Sequence, residues 1–525
     1  MGDKGIRDLT HGRPDGVAIL DFGGQYCHLI ARRIREMKVY SEIMPCDVSP
    51  NEISSLEEIM NVKGIILSGS PSSINLQSSL RVSEEVFEIG LPILGLCYGH
   101  QLIAHVFGGV VKRGEKREYG ATEVLVDSAV GLLKDMDPVE KVWMSHGDIV
   151  LSLPRDFQVL AHTENAPVAA FRHQSIPIYG IQWHPEVAHT EKGAEMLRNF
   201  VIGICGCQPN WVPEDIIERA VEEIKSVVGD SRAIIAYSGG VDSSVATALA
   251  AKALGERLVA VHVDHGFMRK DESKRVLAAF RDFEINLNVV DARERFLQRI
   301  HGLTDPEDKR KIIGEEFIRV FESEARNSGA DYLIQGTIYP DRIESGFREH
   351  SDRIKTHHNV GGIPFNIDFK AVVEPLRDLY KDEVRALGLQ LGLPQSIVRK
   401  QPFPGPGLAV RIIGEVTSEK LEILRHADSI VCEEIGKSDI RNSAWQWFAV
   451  LTGSRSTGVK GDERAYGYTV AIRIVESLDG MTANFCRAPW EDLERISTRI
   501  TNEVPEVSRV VYDVTHKPPA TIEWE

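Results

Sequence analysis

Residues 233–244 read Ala-Ile-Ile-Ala-Tyr-Ser-Gly-Gly-Val-Asp-Ser-Ser, an apolar run followed directly by a glycine-rich turn. The run Ala233–Tyr237 predicts a buried strand, and the apolar spacing of Val245–Leu254 predicts a helix after the turn. A glycine-rich turn between a strand and a helix presents backbone N–H groups and the positive end of the helix dipole to an anion. This stretch therefore predicts a phosphate site in an α/β domain.

The loop differs from a kinase-type phosphate loop, because the pattern G-x-x-x-x-G-K-[ST] and its lysine are absent. Without a lysine on the β- and γ-phosphates, we expect the loop to hold pyrophosphate as a leaving group while attack falls on the α-phosphorus of ATP. Asp242 is the predicted ligand of Mg²⁺, since clustered phosphate charge needs a hard cation with oxygen ligands. The predicted ATP-binding residues of the loop are Ser238, Gly239, Gly240, Val241, Asp242, Ser243 and Ser244.

A second candidate site lies upstream, at the end of the apolar run Pro92–Leu96. Cys97 follows this run and precedes a helical pattern, so we expect the thiol at a helix N-terminus, where the dipole favours a thiolate and N–H groups can hold an oxyanion. The strand Tyr179–Trp183 leads to His184, which can take the thiol proton, and Glu186 can hold the other ring nitrogen. These three residues predict a catalytic triad with a cysteine nucleophile.

Length indicates more than one domain, because single cores stop growing at roughly 250–300 residues and the chain has 525. Residues 17–205 alternate short apolar runs with amphipathic stretches, and a second such series begins after the linker-like Gln208–Pro213. A proline- and glycine-rich break at 401–407 introduces a smaller third segment. The fold class is predicted as α/β, with two doubly wound, Rossmann-like domains and a small C-terminal α/β domain. The predicted domains span residues 16–207, 208–401 and 402–525.

Charge and cysteine content narrow the functional class. The net charge of −16, from 61 basic and 77 acidic residues, disfavours binding to nucleic acid or to an acidic membrane. Seven scattered cysteines indicate reduced thiols rather than a disulfide framework. The N-terminus is polar and no apolar run reaches the ~18 residues of a membrane span. We therefore expect a cytosolic protein that acts on small molecules.

The first domain resembles the class-I glutamine amidotransferases in the order and spacing of four segments, which are Asp21–Gln25, Ser68–Pro71, Gly95–Gln101 and Gln182–Glu186. The resemblance implies that glutamine is hydrolysed to glutamate and ammonia through a thioester on Cys97. Backbone amides of residues 70 and 98 would form the oxyanion hole, although the family usually has a glycine where this chain has Ser70. The oxyanion and glutamine contacts implied by the resemblance are Ser70, Tyr98, Gln101, Ser145, His146 and Asp148.

The loop at 238–244 resembles that of the N-type ATP pyrophosphatases, which implies the same cleavage between the α- and β-phosphates. In that family, Asp264 on the next predicted strand, Leu258–Asp264, would face adenosine. Relatives often carry asparagine after this aspartate, where this chain has His265.

The rest of the chain resembles the glutamine-hydrolysing GMP synthases in several segments, among them 305–314, 335–341, 354–362, 374–384, 401–408 and 517–525. The implied reaction is XMP + ATP + glutamine + water → GMP + AMP + pyrophosphate + glutamate, with Mg²⁺ required. The third domain would be the family's dimerisation unit, which implies a homodimer, and the irregular segment 341–370 would be its lid. The implied XMP-binding residues are Arg310, Lys355, Gln446, Asp462, Lys517, Thr521 and Glu523.

Two other interpretations compete with this one. A tRNA-modifying N-type ATP pyrophosphatase would explain residues 238–244 but not the triad, and the acidic charge disfavours tRNA. A catalytically silent nucleotide sensor built on the same folds is disfavoured because the nucleophile and the phosphate-binding groups are all present.

Overall fold

The structure is a computed structural model that describes residues 12–76, 79–280, 285–346, 367, 369–477, 480 and 482–525. The chain forms two compact units, Met1–Ile216 and Ile217–Glu525. Lys355, one of the predicted XMP contacts, lies outside the described residues. No helix among the described ranges is both long enough and apolar enough to cross a membrane.

The first unit is built on one nine-stranded sheet. Its strands are β1 (Asp15–Asp21), β2 (Tyr40–Pro45), β3 (Asn61–Leu67), β4 (Ile93–Leu96), β5 (Val110–Val126), β6 (Val139–Ser152), β7 (Phe157–His162), β8 (Ala170–His173) and β9 (Ile178–Ile181). Its α-helices are α1 (Cys27–Glu36), α2 (Pro50–Ser55), α3 (Tyr98–Val106) and α4 (Gly193–Arg198).

The strand order of this sheet is β2-β1-β3-β4-β9-β8-β7-β5-β6. The first five strands pair in parallel, whereas β5 to β8 join by antiparallel pairing. Strands β3 and β4 are buried at their carboxyl ends because parallel strands are covered on both faces. The parallel half carries the predicted triad at that edge, as doubly wound folds do.

The second unit contains two further sheets. Its strands are β10 (Ala233–Ala236), β11 (Leu258–Asp264), β12 (Asn286–Asp291), β13 (Tyr332–Ile334), β14 (Ala371–Val373), β15 (Gln446–Lys460), β16 (Glu463–Glu476), β17 (Asn484–Phe485) and β18 (Val507–Tyr512). Its helices are α5 (Pro213–Val228), whose first turn begins before the division, α6 (Val241–Leu254), α7 (Glu272–Ala279), α8 (Arg293–Arg299), α9 (Pro306–Ser328), α10 (Tyr339–Gly346), α11 (Lys381–Gln390), α12 (Gln395–Val398), α13 (Ser418–Lys437) and α14 (Trp490–Glu503).

The first of these sheets is wholly parallel, with the order β12-β11-β10-β13-β14. Strand β10 is central, so the turn after it opens at the carboxyl edge of the sheet. In the second sheet, β16 pairs with β15 and β17 in antiparallel fashion and with β18 in parallel.

One apolar core runs through both sheets of the second unit. It joins Ile234 and Leu333 of the parallel sheet to Leu424 of α13 and Ile472 of β16, all of them buried. The segments predicted as separate second and third domains therefore share a continuous core.

The elements differ from their predicted bounds mainly at the ends. Helix α6 begins at Val241 rather than Val245, because Gly240 already stands at its N-cap with extended backbone. Strand β9 ends at Ile181 rather than Trp183. The expectation of irregular structure from 341 onward is wrong for residues 341–346, which continue α10, and residues 347–366 lie outside the described part.

Candidate active sites

Cys97 stands on a sharp turn between β4 and α3, with φ of +53°, a backbone conformation that side-chain-bearing residues rarely adopt. Two glycines permit the turn. A Cβ on Gly95 would lie 2.4 Å from the carbonyl carbon of Gly99, and a Cβ on Gly99 would lie 2.4 Å from the carbonyl oxygen of Leu67. The chain thus holds the thiol at a helix N-terminus in a strained, tightly packed elbow.

His184 and Glu186 complete a buried triad beside the thiol. The Nδ1 atom of His184 lies 2.7 Å from Oε1 of Glu186, which leaves Nε2 to exchange a proton with sulfur. Gly69 borders both partners, since a Cβ there would lie 3.2 Å from Cε1 of His184 and 3.8 Å from Cβ of Cys97. The imidazole and the thiol therefore share one small space.

Electrostatics favour an imidazolium at this position. Burial alone would lower the pKa of His184, but the charges and hydrogen bonds of Glu186 and Cys97 raise it to about 11. Thr190 fixes the segment further, because its hydroxyl donates to the carbonyl oxygen of His184 at 2.6 Å. The arrangement supplies a nucleophile, a base and a carboxylate that orients the base.

The predicted glutamine-binding residues gather around the elbow. Tyr98 is buried, and its hydroxyl donates to the carbonyl oxygen of Leu80 at 2.6 Å. The amide Nε2 of Gln101 donates to the carbonyl oxygen of Asp148 at 2.9 Å. Ser145 lies on β6, where its carbonyl oxygen is 3.7 Å from the sulfur of Cys97.

His146 and Ser70 complete that set. The Nε2 atom of His146 lies 3.0 Å from Oε2 of the buried Glu118, and Nδ1 lies 3.0 Å from the carbonyl oxygen of Asp148. Ser70 is half-buried and its hydroxyl accepts from the N–H of Ser72 at 3.2 Å, so the serine stabilises its own turn. A hydrogen bond from Ser73 to the Asp148 carboxylate joins this turn to β6.

Sequence reasoning missed the part that Gln182 plays at this site. Its Nε2 donates to the sulfur of Cys97 at 3.7 Å, and its Oε1 accepts from Nε2 of Gln101 at 3.1 Å. Gln182 belongs to the segment that leads to His184, so its position could have singled it out. Glu118 could not have been found in this way, because only the pairing of β5 with β6 brings it to His146.

The serine side chains of the phosphate loop form hydrogen bonds within the loop. The hydroxyl oxygens of Ser238 and Ser243 are 2.9 Å apart, and the hydroxyl of Ser244 donates to the carbonyl oxygen of Gly240 at 2.7 Å. Gly239 has φ of +75°, and Val241 begins α6. The N-terminus of α6 therefore opens on a glycine turn, as an anion site requires.

Two lysines that the sequence did not single out meet this loop. Lys381, at the start of α11, donates to Oδ2 of Asp242. Lys400 donates to the carbonyl oxygen of Gly239 at 2.9 Å and pairs with the buried Glu272. Burial would raise the pKa of Glu272, but Lys400 holds it below its usual value. Both lysines come from distant segments, so the loop motif gave no sign of them.

Asp264 ends β11, and its Oδ1 accepts from the N–H of Gly266 at 3.0 Å. The side chain therefore caps the turn at the carboxyl edge of the sheet. His265 turns inward, where its Nδ1 accepts from the N–H of Phe267 at 3.1 Å, and burial lowers its pKa to about 4. A neutral histidine here supports the turn and packs on the rings of Phe267 and Phe296.

A cavity of about 950 Å³ opens beside the loop. It is lined by Ser238, Asp242 and Ser243, by Arg310 and Gly314 of α9, and by the stretch Gln401–Pro406. Arg310 is thus brought to the same cavity as the phosphate loop, although some seventy positions separate them along the chain. The cavity is large enough for a nucleotide.

Glu523 and Gln446 lie together behind this cavity. Both carboxylate oxygens of Glu523 accept from the buried Arg411, at 2.9 and 2.7 Å, and Nε2 of Gln446 donates to Oε1 of Glu523 at 2.9 Å. Gln446 also donates to the carbonyl oxygen of Pro402, a residue of the cavity wall, at 3.2 Å. The tail, defined here as residues 517–525, is therefore fastened to the wall of the cavity.

The other predicted XMP-binding residues in the described part of the chain are Lys517, Thr521 and Asp462. The Nζ atom of Lys517 donates to the carbonyl oxygen of Gly480 at 2.7 Å. Thr521 is exposed and its hydroxyl donates to the carbonyl oxygen of Glu523. Asp462 occupies the exposed turn between β15 and β16 with φ of +65°, a conformation that aspartate tolerates. Their roles at a nucleotide stay predictions.

The sequence matches known protein families along most of its length. Residues 18–204 match the family Glutamine amidotransferase class-I, residues 213–346 match the PP-loop domain, and residues 433–524 match the GMP synthase C terminal domain. A GMP synthase [glutamine-hydrolyzing] of Caldanaerobacter subterraneus subsp. tengcongensis is 52% identical over 97% of this chain and 99% of the relative. The chain belongs to the glutamine-hydrolysing GMP synthases.

Other proteins extend the comparison. A GMP synthase [glutamine-hydrolyzing] of Caldicellulosiruptor saccharolyticus is 53% identical over 97% of this chain and 99% of its own. A solved glutamine amidotransferase from Thermotoga maritima is 21% identical and covers 39% of this chain and 90% of its own, with a TM-score of 0.27. The predicted family and its two kinds of catalytic domain are confirmed by the family matches and the full-length relatives.

Proposed function

We propose that this protein makes GMP from XMP, with ammonia released from glutamine and with ATP cleaved to AMP and pyrophosphate. The observation that carries the proposal is the presence, in one chain, of a Cys97 elbow with a Glu186-oriented His184 and of a phosphate loop at the N-terminus of α6. One site generates a nitrogen nucleophile and the other activates an oxygen for displacement.

The thiol site supports hydrolysis of an amide. The sulfur of Cys97, having given its proton to His184, attacks the carboxamide carbon of glutamine, and the His184 imidazolium donates that proton to the departing ammonia. Backbone N–H groups of residues 70 and 98 would hold the oxyanion. Water then cleaves the thioester and releases glutamate, which restores the thiol.

The phosphate loop supports adenylylation of XMP. The 2-oxygen of XMP attacks the α-phosphorus of ATP, and the bond to the β-phosphate breaks, so pyrophosphate leaves into the loop. Ammonia then attacks the activated carbon and AMP departs with the former 2-oxygen. Ser238 and Ser243 can donate to the phosphate oxygens, and Lys381 can pair with them once it leaves Asp242.

Magnesium fits this loop. Oδ1 of Asp242 is buried and, among the described residues, has no hydrogen-bond partner, which leaves one oxygen of this cavity-lining residue available as a ligand. No group of three or more His, Cys, Asp or Glu stands together within the described ranges, so the phosphates and water would supply the remaining ligands. When bound, Mg²⁺ would neutralise charge on the departing pyrophosphate.

We also infer that the protein works in the cytosol as a homodimer. All seven cysteines are free, which suits a reducing compartment. The homodimer rests on the resemblance of the third predicted domain to the family's dimerisation unit. Light scattering on the purified protein would measure its mass in solution, and a monomeric mass at micromolar concentration would contradict the inference.

The decisive experiment mixes the protein with XMP, Mg-ATP and either glutamine or an ammonium salt. We expect GMP, AMP and pyrophosphate in equal amounts from both nitrogen sources, and glutamate from glutamine alone. Chromatography of the nucleotides measures the products. If no GMP forms from either nitrogen source, the proposed synthesis is wrong, and a tRNA-modifying activity becomes the alternative to test with tRNA as acceptor.

A further inference from the structure

Lys309, next to the cavity-lining Arg310 on α9, is fully buried together with its charge. Its Nζ donates to the carbonyl oxygen of Ile412 at 2.8 Å and to the carboxylate of Glu525. The Glu525 side chain is itself only 6% exposed. An ammonium in such a place needs a counter-charge, because an unpaired buried charge is costly.

Glu525 is fixed at two further points. Its Oε1 accepts from the N–H of Gly414 at 3.1 Å, and its main-chain oxygen accepts from Nη2 of Arg310. Both contacts tie residue 525 to groups that are remote from it in sequence. The position of Glu525 is therefore set by α9 and by the segment around 412–414 together.

Both residues of the Lys309–Glu525 pair have chain neighbours at or near the cavity. Arg310 lines the cavity together with its α9 neighbour Lys311, and the Arg310 side chain is 35% exposed, so other donors of the guanidinium remain available to a ligand. Two residues before Glu525, Glu523 makes its paired hydrogen bonds with Arg411. Movement of Glu525 would shift both Arg310 and Glu523.

We propose that Glu525 is a positioning residue for the nucleotide substrate. Through Lys309 and Arg310 it locks the tail against α9 and so holds Arg310 and Glu523 in the geometry that XMP requires. This inference rests on the proposed function, and it deepens that function by assigning to Glu525 a role in XMP binding that operates through neighbouring side chains.

The test compares Glu525→Ala and Glu525→Gln with the wild type in the ammonium-dependent assay. We expect the KM for XMP to rise about tenfold or more, with kcat and the KM for ATP changing by less than about threefold. Glu422→Gln, which removes a carboxylate from an exposed pair with Arg425, is the matched control and should leave all three values unchanged. Calorimetry with XMP should show the same loss of affinity.

A merely structural role predicts a different pattern. If the substitutions lower the melting temperature and raise the KM for ATP and for XMP together, or if they leave the KM for XMP unchanged, the proposal is wrong. The double variant Lys309→Ala/Glu525→Ala separates the cases further. Its KM for XMP should be no higher than that of the poorer single variant. Additive losses of affinity would show that the two residues do not act as a unit. Absence of GMP formation by the wild type would instead contradict the proposed function.

Discussion

Lys381 donates to Oδ2 of Asp242, and the other carboxylate oxygen, Oδ1, is buried without a hydrogen-bond partner in the part of the chain that the structure describes. The lysine thus reaches the phosphate loop from α11 rather than from the loop's own sequence. A cation is therefore present at this loop even though the kinase-type lysine is missing. Binding of Mg²⁺ at Asp242, as proposed above, would release Lys381 to pair with phosphate.

Substitution of Asp242 by asparagine should abolish synthesis from glutamine and from ammonium alike, because the neutral amide is a poor ligand for Mg²⁺ and no longer pairs with Lys381. Glutamine hydrolysis in the absence of nucleotides should persist, since the thiol site lies in the other unit. Product analysis with each nitrogen source measures both activities. Synthesis at the wild-type rate would remove Asp242 from the reaction.

Substitution of Cys97 by alanine should abolish the use of glutamine but not the use of ammonium. Glutamine-dependent synthesis should fall by a factor of about a thousand or more, whereas synthesis from a high concentration of ammonium should survive. Cys46→Ala is the control, because Cys46 is also a buried thiol of the same unit but is not part of the elbow. Retention of glutamine-dependent synthesis in Cys97→Ala would show that another group is the nucleophile.

The bond that is broken in ATP can be read from the products. If the loop releases pyrophosphate, XMP labelled with ¹⁸O at its 2-position should transfer the label to AMP, which mass spectrometry detects. Formation of ADP and phosphate, or AMP without label, would contradict attack by the XMP oxygen on the α-phosphorus.

Because the pKa of His184 is raised, we expect the stability of the folded protein to depend on pH. In the unfolded chain the imidazole titrates near pH 6.5, whereas in the folded protein Glu186 and Cys97 raise the pKa to about 11 despite burial. The stabilisation is fully present below about pH 6.5 and is lost as the pH rises toward the folded value, because the folded state then gives up the proton that it held.

Comparison of the wild type with Glu186→Gln isolates this effect. The difference in the free energy of unfolding of the first unit should be largest at about pH 6 and should shrink steadily toward about pH 10, as urea titrations would measure. Glu36→Gln, in an exposed pair with Arg33, should show only a small difference at every pH. A difference for Glu186→Gln that is independent of pH would contradict an imidazolium at residue 184.

Removal of the tail, residues 517–525, should raise the KM for XMP or end synthesis from both nitrogen sources, because Arg411 and Lys309 then lose their contacts with Glu523 and Glu525 behind the cavity. Basal glutamine hydrolysis should remain. Lys517→Ala should lose about tenfold or more in kcat/KM for XMP with little change in the KM for ATP. This expectation requires Nζ of Lys517 to move from the carbonyl oxygen of Gly480 to the bound nucleotide. Unchanged XMP kinetics in the truncated protein would take the tail out of the site.

Local sequence patterns are sufficient to predict the local structure where a motif and its neighbours lie in one strand–turn–helix unit. The turns at Cys97 and at 238–244 are predicted from an apolar run, small residues and a following helical pattern. Cys97 stands between β4 and α3, and residues 237–240 connect β10 to α6. Element ends were less predictable. Helix α6 takes in Val241 to Ser244 because Gly240 adopts extended backbone at the N-cap and the hydroxyls of Ser243 and Ser244 donate back to its carbonyl oxygen.

The order of residues along the chain establishes which chemical groups the protein possesses, namely the Cys97–His184–Glu186 set, the loop at 238–244 and the family to which they belong. Long-range packing decides which distant groups meet them. Lys381 and Lys400 reach the loop, Gln182 and Glu118 serve the thiol site, and Lys309 meets Glu525 only because the fold brings their segments together. Periodicity and turn chemistry depend on neighbouring residues, whereas the pairing of buried charges depends on which surfaces the cores bring into contact, and no local pattern encodes that.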